Sequence, residues 1–221
     1  MRIPQRQNKQ PIKGEISNDS LSPWASLPVW VGKLFTHTFD ALALPELVDN
    51  IWGIAKRSSR ALSEVERAEA YRVFADSLPY HLIRLDEKSL IARMAARLSN
   101  ANDMGVATFH TINFSRPLHS EPGNIDMAWL MHELVHIAQM HHAGSRYMGE
   151  ALHAQHYGGY SYGAPTNLLH KKLCDFNREQ QAEIIKDYYY YILFNRYHRD
   201  YGYLPLPLYE PYIEQLRRGE L

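Results

Sequence analysis

The sequence predicts a mostly helical α+β fold in which a small sheet lies beside one buried helix. Its 221 residues are 45% hydrophobic and 22% charged, which is enough for a sizeable core and excludes a mostly disordered or coiled-coil chain. Helix signals occur along most of the chain, whereas only residues 106–115 are clearly rich in β-branched residues, between Gly105 and Pro117. Together these features favour one domain over residues 59–221, preceded by an N-terminal extension.

The first 58 residues divide into a polar tail and a helical extension. Residues 1–20 carry charged side chains and almost no apolar run, which predicts a flexible tail rather than a signal peptide. Apolar residues in the range 27–55 suit two amphipathic helices that meet near Pro45, so residues 21–58 are predicted as a helical extension. Charged residues interrupt this segment, which is therefore too broken to span a membrane. The two helices cover the core or, alternatively, present a face to a membrane surface or a partner.

The remaining elements follow from capping residues, apolar spacing and helix breakers. Ser63 and Glu66 form a capping-box sequence that starts a helix at Glu64, and Asp126 is predicted to cap a second, strongly apolar helix. Three prolines among apolar residues predict an extended strap over residues 202–214. Helices are predicted over residues 64–75, 90–98, 126–141 and 148–156 and from Asn177 past Tyr191, and strands over residues 82–85 and 106–115.

The apolar helix carries the motif with the clearest chemistry. His132-Glu133-Leu134-Val135-His136 is an HExxH sequence, and residues four apart lie one turn apart on the same helix face. Both imidazoles can therefore bind one metal ion, with Glu133 beside the open side of that ion. Unsatisfied polar groups in a buried helix would cost on the order of 1–3 kcal/mol each, and more for the charge. The motif thus favours a bound cation over two structural histidines.

A zinc site of this kind needs a third protein ligand and an open position for water. Glu150, on the helix predicted over 148–156, and Glu179, near the start of the last long helix, are the acidic candidates, and their positions leave both open. Glu179, Glu183 and Asp187 repeat every fourth residue, so one carboxylate can bind metal while the next accepts a histidine N–H. Alternatively, Glu179 is a carboxylate stabilised at a helix N-terminus.

The strand, the HExxH helix and the later Glu179-Gln180-Gln181-Ala182-Glu183 sequence resemble the gluzincin branch of zinc metallopeptidases. A longer similarity, over roughly residues 60–195, is to a bacterial family of peptidases found with Rhs and VgrG proteins of type VI secretion systems. The residues that carry this similarity are Arg60 to Glu64, Tyr71 to Asp76, His132 to Gln139 and Glu179 to Tyr189. The resemblance implies a zincin-like domain with a C-terminal ligand-bearing helix, and it favours Glu179 over Glu150.

The same resemblance implies roles for individual residues. One zinc ion would be held by His132, His136 and Glu179, and Glu133 would act as the general base. From its spacing after Glu179, Glu183 is expected to support a histidine ligand from outside the metal shell, and Glu183 and Glu150 stay the alternative ligands. Gluzincin-like folds bind substrate as an extra strand on a sheet edge. The resemblance therefore implies that the substrate pairs with the segment Ala107, Thr108, Phe109 and His110.

The predicted function is that of a zinc endopeptidase acting on a protein or peptide, as an effector or processing protease associated with a secretion system. The secretion apparatus and an immunity protein are the further partners expected, and the predicted location is the bacterial cytoplasm, with export that needs no signal peptide. The alternatives are a zinc-containing adaptor without catalytic activity and a hydrolase of a non-peptide amide such as a cell-wall link.

Charge and cysteine content exclude other classes. The 24 basic and 24 acidic residues give zero formal net charge, so nucleic acid is not an expected partner. Cys174 is the only cysteine, which rules out an internal disulfide framework and a thiolate cluster. Any metal is therefore expected on imidazole and carboxylate groups.

Overall fold

The computed structural model describes residues 59–143 and 159–221. Within these two ranges the protein is an α+β structure with five α-helices and a small mixed sheet, as the sequence predicts at this coarse level. The predicted tail, the helical extension and the helix over 148–156, with Glu150, lie outside the described residues. Among the residues that are described, no helix is long and apolar enough to cross a membrane.

The first helix, α1, covers Glu64–Phe74 and begins at the predicted capping box. Ser63 Oγ accepts from the Glu66 backbone N–H at 3.2 Å, and the Glu66 carboxylate accepts from the Ser63 N–H at 2.7 Å. Arg60 binds the same carboxylate through both terminal nitrogens and also reaches Glu87. Arg60 therefore links the start of α1 to Glu87, which is distant from it in the sequence.

Four short strands form the sheet. They are β1 (Arg60–Ala61), β2 (Arg84–Asp86), β3 (Gly105–Thr108) and β4 (Thr111–Phe114). The order is β1-β2-β4-β3, in which β2 and β4 run parallel and the two outer pairs are antiparallel. In this order β4 is central and fully buried, whereas β3 lies at an edge.

The single strand predicted over 106–115 is wrong, because the segment folds back on itself as a hairpin. Phe109 and His110 form its turn between the paired residues Thr108 and Thr111. Phe109 takes a left-handed backbone conformation, with φ of 50°, which a bulky residue rarely adopts. The turn contains no glycine, asparagine or aspartate, so the pattern gave no signal for a reversal.

The sheet lies between two helices. Helix α2 (Leu90–Ser99) follows Ser89, whose hydroxyl donates to Asn113 Oδ1 on β4 at 3.0 Å. The next residue of β4, Phe114, points the other way and meets Trp129 of helix α3 (Ile125–Ala143), with ring centroids 4.7 Å apart. Because side chains alternate along a strand, α2 and α3 cover opposite faces of the sheet.

Helix α3 is the central element of the core. Its apolar residues from Met127 to Ala138 are buried on all sides of the helix, apart from the partly buried Trp129, as its composition predicts. The residue that caps it is Asn124, whose Oδ1 accepts from the Met127 N–H at 2.8 Å, rather than Asp126. Asp126 instead accepts two hydrogen bonds from the Arg116 guanidinium, which lowers the pKa of this carboxyl. The helix starts at Ile125, about two turns before its first metal-binding candidate, His132.

Helix α4 (Arg178–Asp187) packs against α3, and Asn177 caps its start, near the predicted position. Asn177 and Gln180 form a reciprocal cap, with the side chain of each accepting from the backbone N–H of the other. A π-helical segment, Tyr188–Ile192, continues the helix, and a two-stranded hairpin of β5 (Tyr197–His198) and β6 (Gly202–Tyr203) follows. This hairpin is too short to have been expected from the sequence.

The extended strap predicted over 202–214 is also wrong, because Leu206–Arg217 forms helix α5. Pro207 lies in the first turn, where no backbone donor is required, and only Pro211 lies inside the helix. The helix buries an apolar face at helical spacing, formed by Tyr209, Tyr212, Ile213 and Leu216. Burial of these four side chains outweighs the cost of one interior proline, which is about 3 kcal/mol.

Candidate metal centre

Three side chains converge between α3 and α4. His132 and His136 project from consecutive turns of α3, and Glu179 projects from the first turn of α4. The two Nε2 atoms are 3.2 Å apart, and the Glu179 Oε2 atom lies 3.3 Å from the first and 3.4 Å from the second. All three residues are buried. Among the described residues this is the group of His, Cys, Asp and Glu side chains that could hold a metal ion.

The triangle of donor atoms has the dimensions of a metal-binding site. A tetrahedral zinc ion with bonds of about 2.0–2.1 Å separates its ligand atoms by about 3.3–3.4 Å, which matches all three distances. A single proton can join only one pair of these atoms, whereas a cation between them satisfies all three. Two imidazole nitrogens and one carboxylate oxygen are also a donor set that zinc accepts, with one position left for water. The residues present therefore fit the ion that the motif implies.

Carboxylates surround His132. Its Nδ1 atom lies 3.1 Å from Glu183 Oε1 as an ion pair rather than an aligned hydrogen bond. The other oxygen of Glu183 contacts the ammonium of Lys186 one turn along α4. Burial disfavours a charge on the imidazole, but Glu179 and Glu183 outweigh it and raise the pKa of His132 to about 9. Without metal, the neighbouring carboxylates therefore favour the protonated, positively charged form of the His132 imidazole.

The contacts with the histidines also lower the pKa values of the two carboxylates. Burial alone would raise the pKa of Glu179, but His132 and His136 hold it far below its usual range. The pKa of Glu183 is also lowered, against the effect of its burial, by His132 and Lys186. Glu133 adds a second buried carboxylate beside that of Glu179, and Glu183 is partly buried. This excess of negative groups in a buried site favours a bound cation.

An amide side chain faces the second histidine. Nδ1 of His136 lies 2.9 Å from Oε1 of Gln139, which is fully buried one turn further along α3. The Gln139 Nε2 group donates to Gln181 Oε1 and to the Arg178 carbonyl on α4. The two histidines thus differ in their outer partners, because one has a carboxylate and the other a neutral amide.

Glu133 lies beside the metal-binding triangle and against the edge strand. Its Oε1 atom accepts from the Trp129 indole N–H at 3.2 Å. The backbone of β3 passes so close that a Cβ on Gly105 would overlap the Glu133 carboxylate. The absence of a side chain at residue 105 therefore lets the edge strand reach the carboxylate.

One tyrosine faces the site from a segment pinned to the start of α4. Gly159 O accepts from the Asn177 side chain, and Ser161 O accepts from Gln180 Nε2, so the chain is held on both sides of Tyr160. The Tyr160 and His132 rings have centroids 6.1 Å apart, and Tyr160 remains 53% exposed. Burial, followed by the charges of nearby glutamates that include Glu179 and Glu133, raises the pKa of Tyr160 to about 12. Its hydroxyl therefore keeps its proton at neutral pH.

Protein-family models, curated proteins and solved structures give no match to this chain. A functional interpretation therefore rests on these residues and their geometry.

Some of the residues predicted for the site lie close together in the structure, and others do not. His132, Glu133, His136, Glu179 and Glu183 share one site. Ala107 and Thr108 lie in the edge strand β3, but Phe109 and His110 form the hairpin turn and are not strand residues. Glu150 lies outside the described residues.

Four further residues at the site were not found from the sequence: Gln139, Gln181, Gly105 and Tyr160. Gln139 carried a usable signal, because residues three apart on a helix share a face and it follows His136 at that spacing. The other three reach the site through contacts between distant segments, which no local pattern records.

Proposed function

We propose that this protein is a zinc-dependent hydrolase of peptide bonds with a zincin-like arrangement of the gluzincin type. The observation that carries the proposal is the buried triangle of His132, His136 and Glu179, with the Glu133 carboxylate beside it. A histidine pair alone on a helix is a weak sign of activity. A third ligand on a second helix, together with a carboxylate that is not part of the triangle, meets the needs of a hydrolytic centre.

A zinc ion held by the three ligands would supply a Lewis acid that lowers the pKa of water and polarises a carbonyl group. Glu133 is the group we assign to accept the proton of the attacking water and to pass it to the leaving amine. The Trp129 N–H fixes one oxygen of Glu133, which leaves the other for this transfer. Tyr160, which stays protonated, is the group we assign to donate a hydrogen bond to the oxyanion that forms on the substrate.

A peptide is the substrate class that best suits the edge strand. β3 pairs with β4 on one side, and its other side is the sheet edge in the described part of the chain. Its first residue, Gly105, lies against Glu133, so a peptide paired along β3 would run past the general base.

The first experiment measures metal content. Purified protein is expected to carry one equivalent of zinc by elemental analysis, and His132→Ala is expected to lose it. Less than about half an equivalent, unchanged by His132→Ala, would overturn the metal centre.

The second experiment measures cleavage. Wild type and Glu133→Gln are incubated with denatured proteins and peptide libraries, and products are identified by mass spectrometry. Glu133→Gln should keep its zinc and lose about 10²–10⁴-fold in rate. Equal product patterns for the two proteins would indicate an adaptor that holds zinc without catalysis. Cleavage confined to peptidoglycan fragments would instead indicate a hydrolase of a non-peptide amide.

A further inference from the structure

The hydrogen bonds around Gln139 leave its side-chain amide only one orientation. Its Nε2 group donates to the backbone carbonyl of Arg178 at 3.0 Å and to Gln181 Oε1 at 2.8 Å. A carbonyl oxygen can only accept, so the NH2 end of the amide must point toward α4. The oxygen end therefore points toward His136 Nδ1, at 2.9 Å.

The orientation of Gln181 is fixed in the same way. Its Nε2 group donates to the carbonyls of Leu173 and Phe176, at 3.1 and 3.0 Å. Its Oε1 atom must therefore face Gln139, where it accepts. Both glutamines are buried, so water does not compete for these bonds. A flip of either amide would place oxygen against oxygen at two contacts.

We propose that the Gln139–Gln181 pair sets the tautomer of His136, with the proton on Nδ1 and the lone pair on Nε2. Three main-chain carbonyls orient the two amides, and Gln139 Oε1 then accepts the Nδ1 proton. Nε2 consequently faces His132 and Glu179 as a donor atom ready for metal. Gln139 and Gln181 are positioning residues, and the inference rests on the metal centre of the proposed function.

The tautomer is measured in the metal-free protein. Two-bond couplings in histidine labelled with ¹⁵N separate the two neutral tautomers. Wild-type His136 is expected in the Nδ1–H form. Gln139→Met removes the acceptor and should move His136 toward the Nε2–H form, and Gln181→Met should give a smaller shift in the same direction.

Zinc affinity, measured by competition with a chromophoric chelator, gives the second readout. Gln139→Met is expected to weaken binding about 10–100-fold. Gln139→Glu retains an acceptor for the Nδ1 proton but loses both donations to α4, so it should bind zinc at least as tightly as wild type. A merely structural role predicts the reverse, because Gln139→Glu would then be as weak as Gln139→Met or weaker.

Gln215 provides the matched control. It accepts from the Leu173 N–H at 2.8 Å, whereas Gln181 binds the carbonyl of the same residue. Gln215→Met should leave both the tautomer and the zinc affinity unchanged. Equal losses in Gln215→Met and Gln181→Met, or the Nδ1–H tautomer in Gln139→Met, would overturn the inference. If wild type binds no zinc, the proposed function fails, and the couplings still decide the tautomer.

Discussion

Gly105 on the edge strand lies directly against the carboxylate of Glu133 on α3, with no room for a Cβ between them. The contact links the strand assigned to substrate with the residue assigned to proton transfer. A Cβ at residue 105 would also approach the Trp129 Nε1 atom to 3.0 Å, and this atom holds the same carboxylate. Changes at residue 105 should therefore act on catalysis rather than on metal binding.

Gly105→Ala is expected to displace the Glu133 carboxylate and to lower kcat by tenfold or more, because proton transfer depends on hydrogen-bond geometry. The zinc content should stay at one equivalent, since the atoms nearest to the added methyl group belong to Glu133 and Trp129 and not to the three proposed ligands. Steady-state kinetics and elemental analysis of the same preparation check both parts. Unchanged kcat, or parallel loss of zinc and activity, would contradict the assigned contact.

The carboxylates around the histidines should differ in their effects on zinc binding. Glu179→Gln is expected to lose stoichiometric zinc, because it removes an anionic ligand. Glu183→Gln should keep the site but weaken zinc binding about 10–100-fold, because it removes the partner of His132 Nδ1. Chelator competition measures both.

Two controls make that comparison specific. Glu220→Gln removes an exposed carboxylate paired with Arg218 and should leave zinc affinity unchanged. Glu150→Gln tests the other third ligand that the sequence allowed, and it should also retain zinc. Loss of zinc in Glu150→Gln with retention in Glu179→Gln would reverse the ligand assignment.

The sequence was most informative where a local period decides the structure. The spacing of His132 and His136 places both on one helix face, and the Ser63 capping box starts α1 where expected. Prediction failed where a local signal was absent or was outweighed. The turn at Phe109 has no turn residue, and the prolines near Pro207 concealed a helix whose buried face decides its conformation.

The candidate site also contains residues that the sequence predicts and residues that it does not. The HExxH residues follow from spacing on one helix, but the positions of Gly105, Tyr160 and Gln181 depend on the packing of separate segments. Such contacts arise from tertiary structure, and the periodic spacing of residues in a single sequence does not indicate them.

Glu66 should give the fold a specific sensitivity to acid. Burial would raise its pKa, but Arg60 and the Ser63 N–H outweigh that effect and lower the pKa of Glu66 from 4.5 to about 2. A carboxyl with a depressed pKa stabilises the folded state above pH 4.5, and this contribution is lost as the pH falls toward 2. Since Arg60 is partly exposed, we expect a contribution on the order of 1–3 kcal/mol.

Urea denaturation of wild type and Glu66→Gln at several pH values tests this. The difference in unfolding free energy should be largest near neutral pH and should shrink through the acid range. A difference that stays constant with pH would show that the Arg60 pairing does not depend on ionised Glu66.

Tyr160→Phe should separate substrate activation from metal binding. Removal of one hydrogen-bond donor to a developing oxyanion typically costs about 10²–10³-fold in kcat. The zinc affinity should not change, because the Tyr160 ring lies beside His132 without being one of the three ligands. Tyr197→Phe, at an exposed tyrosine of the β5–β6 hairpin, is the matched control and should leave kcat unchanged. Equal kcat values for the two variants would exclude the Tyr160 hydroxyl from the reaction, whereas a rise in KM alone would assign it to substrate binding.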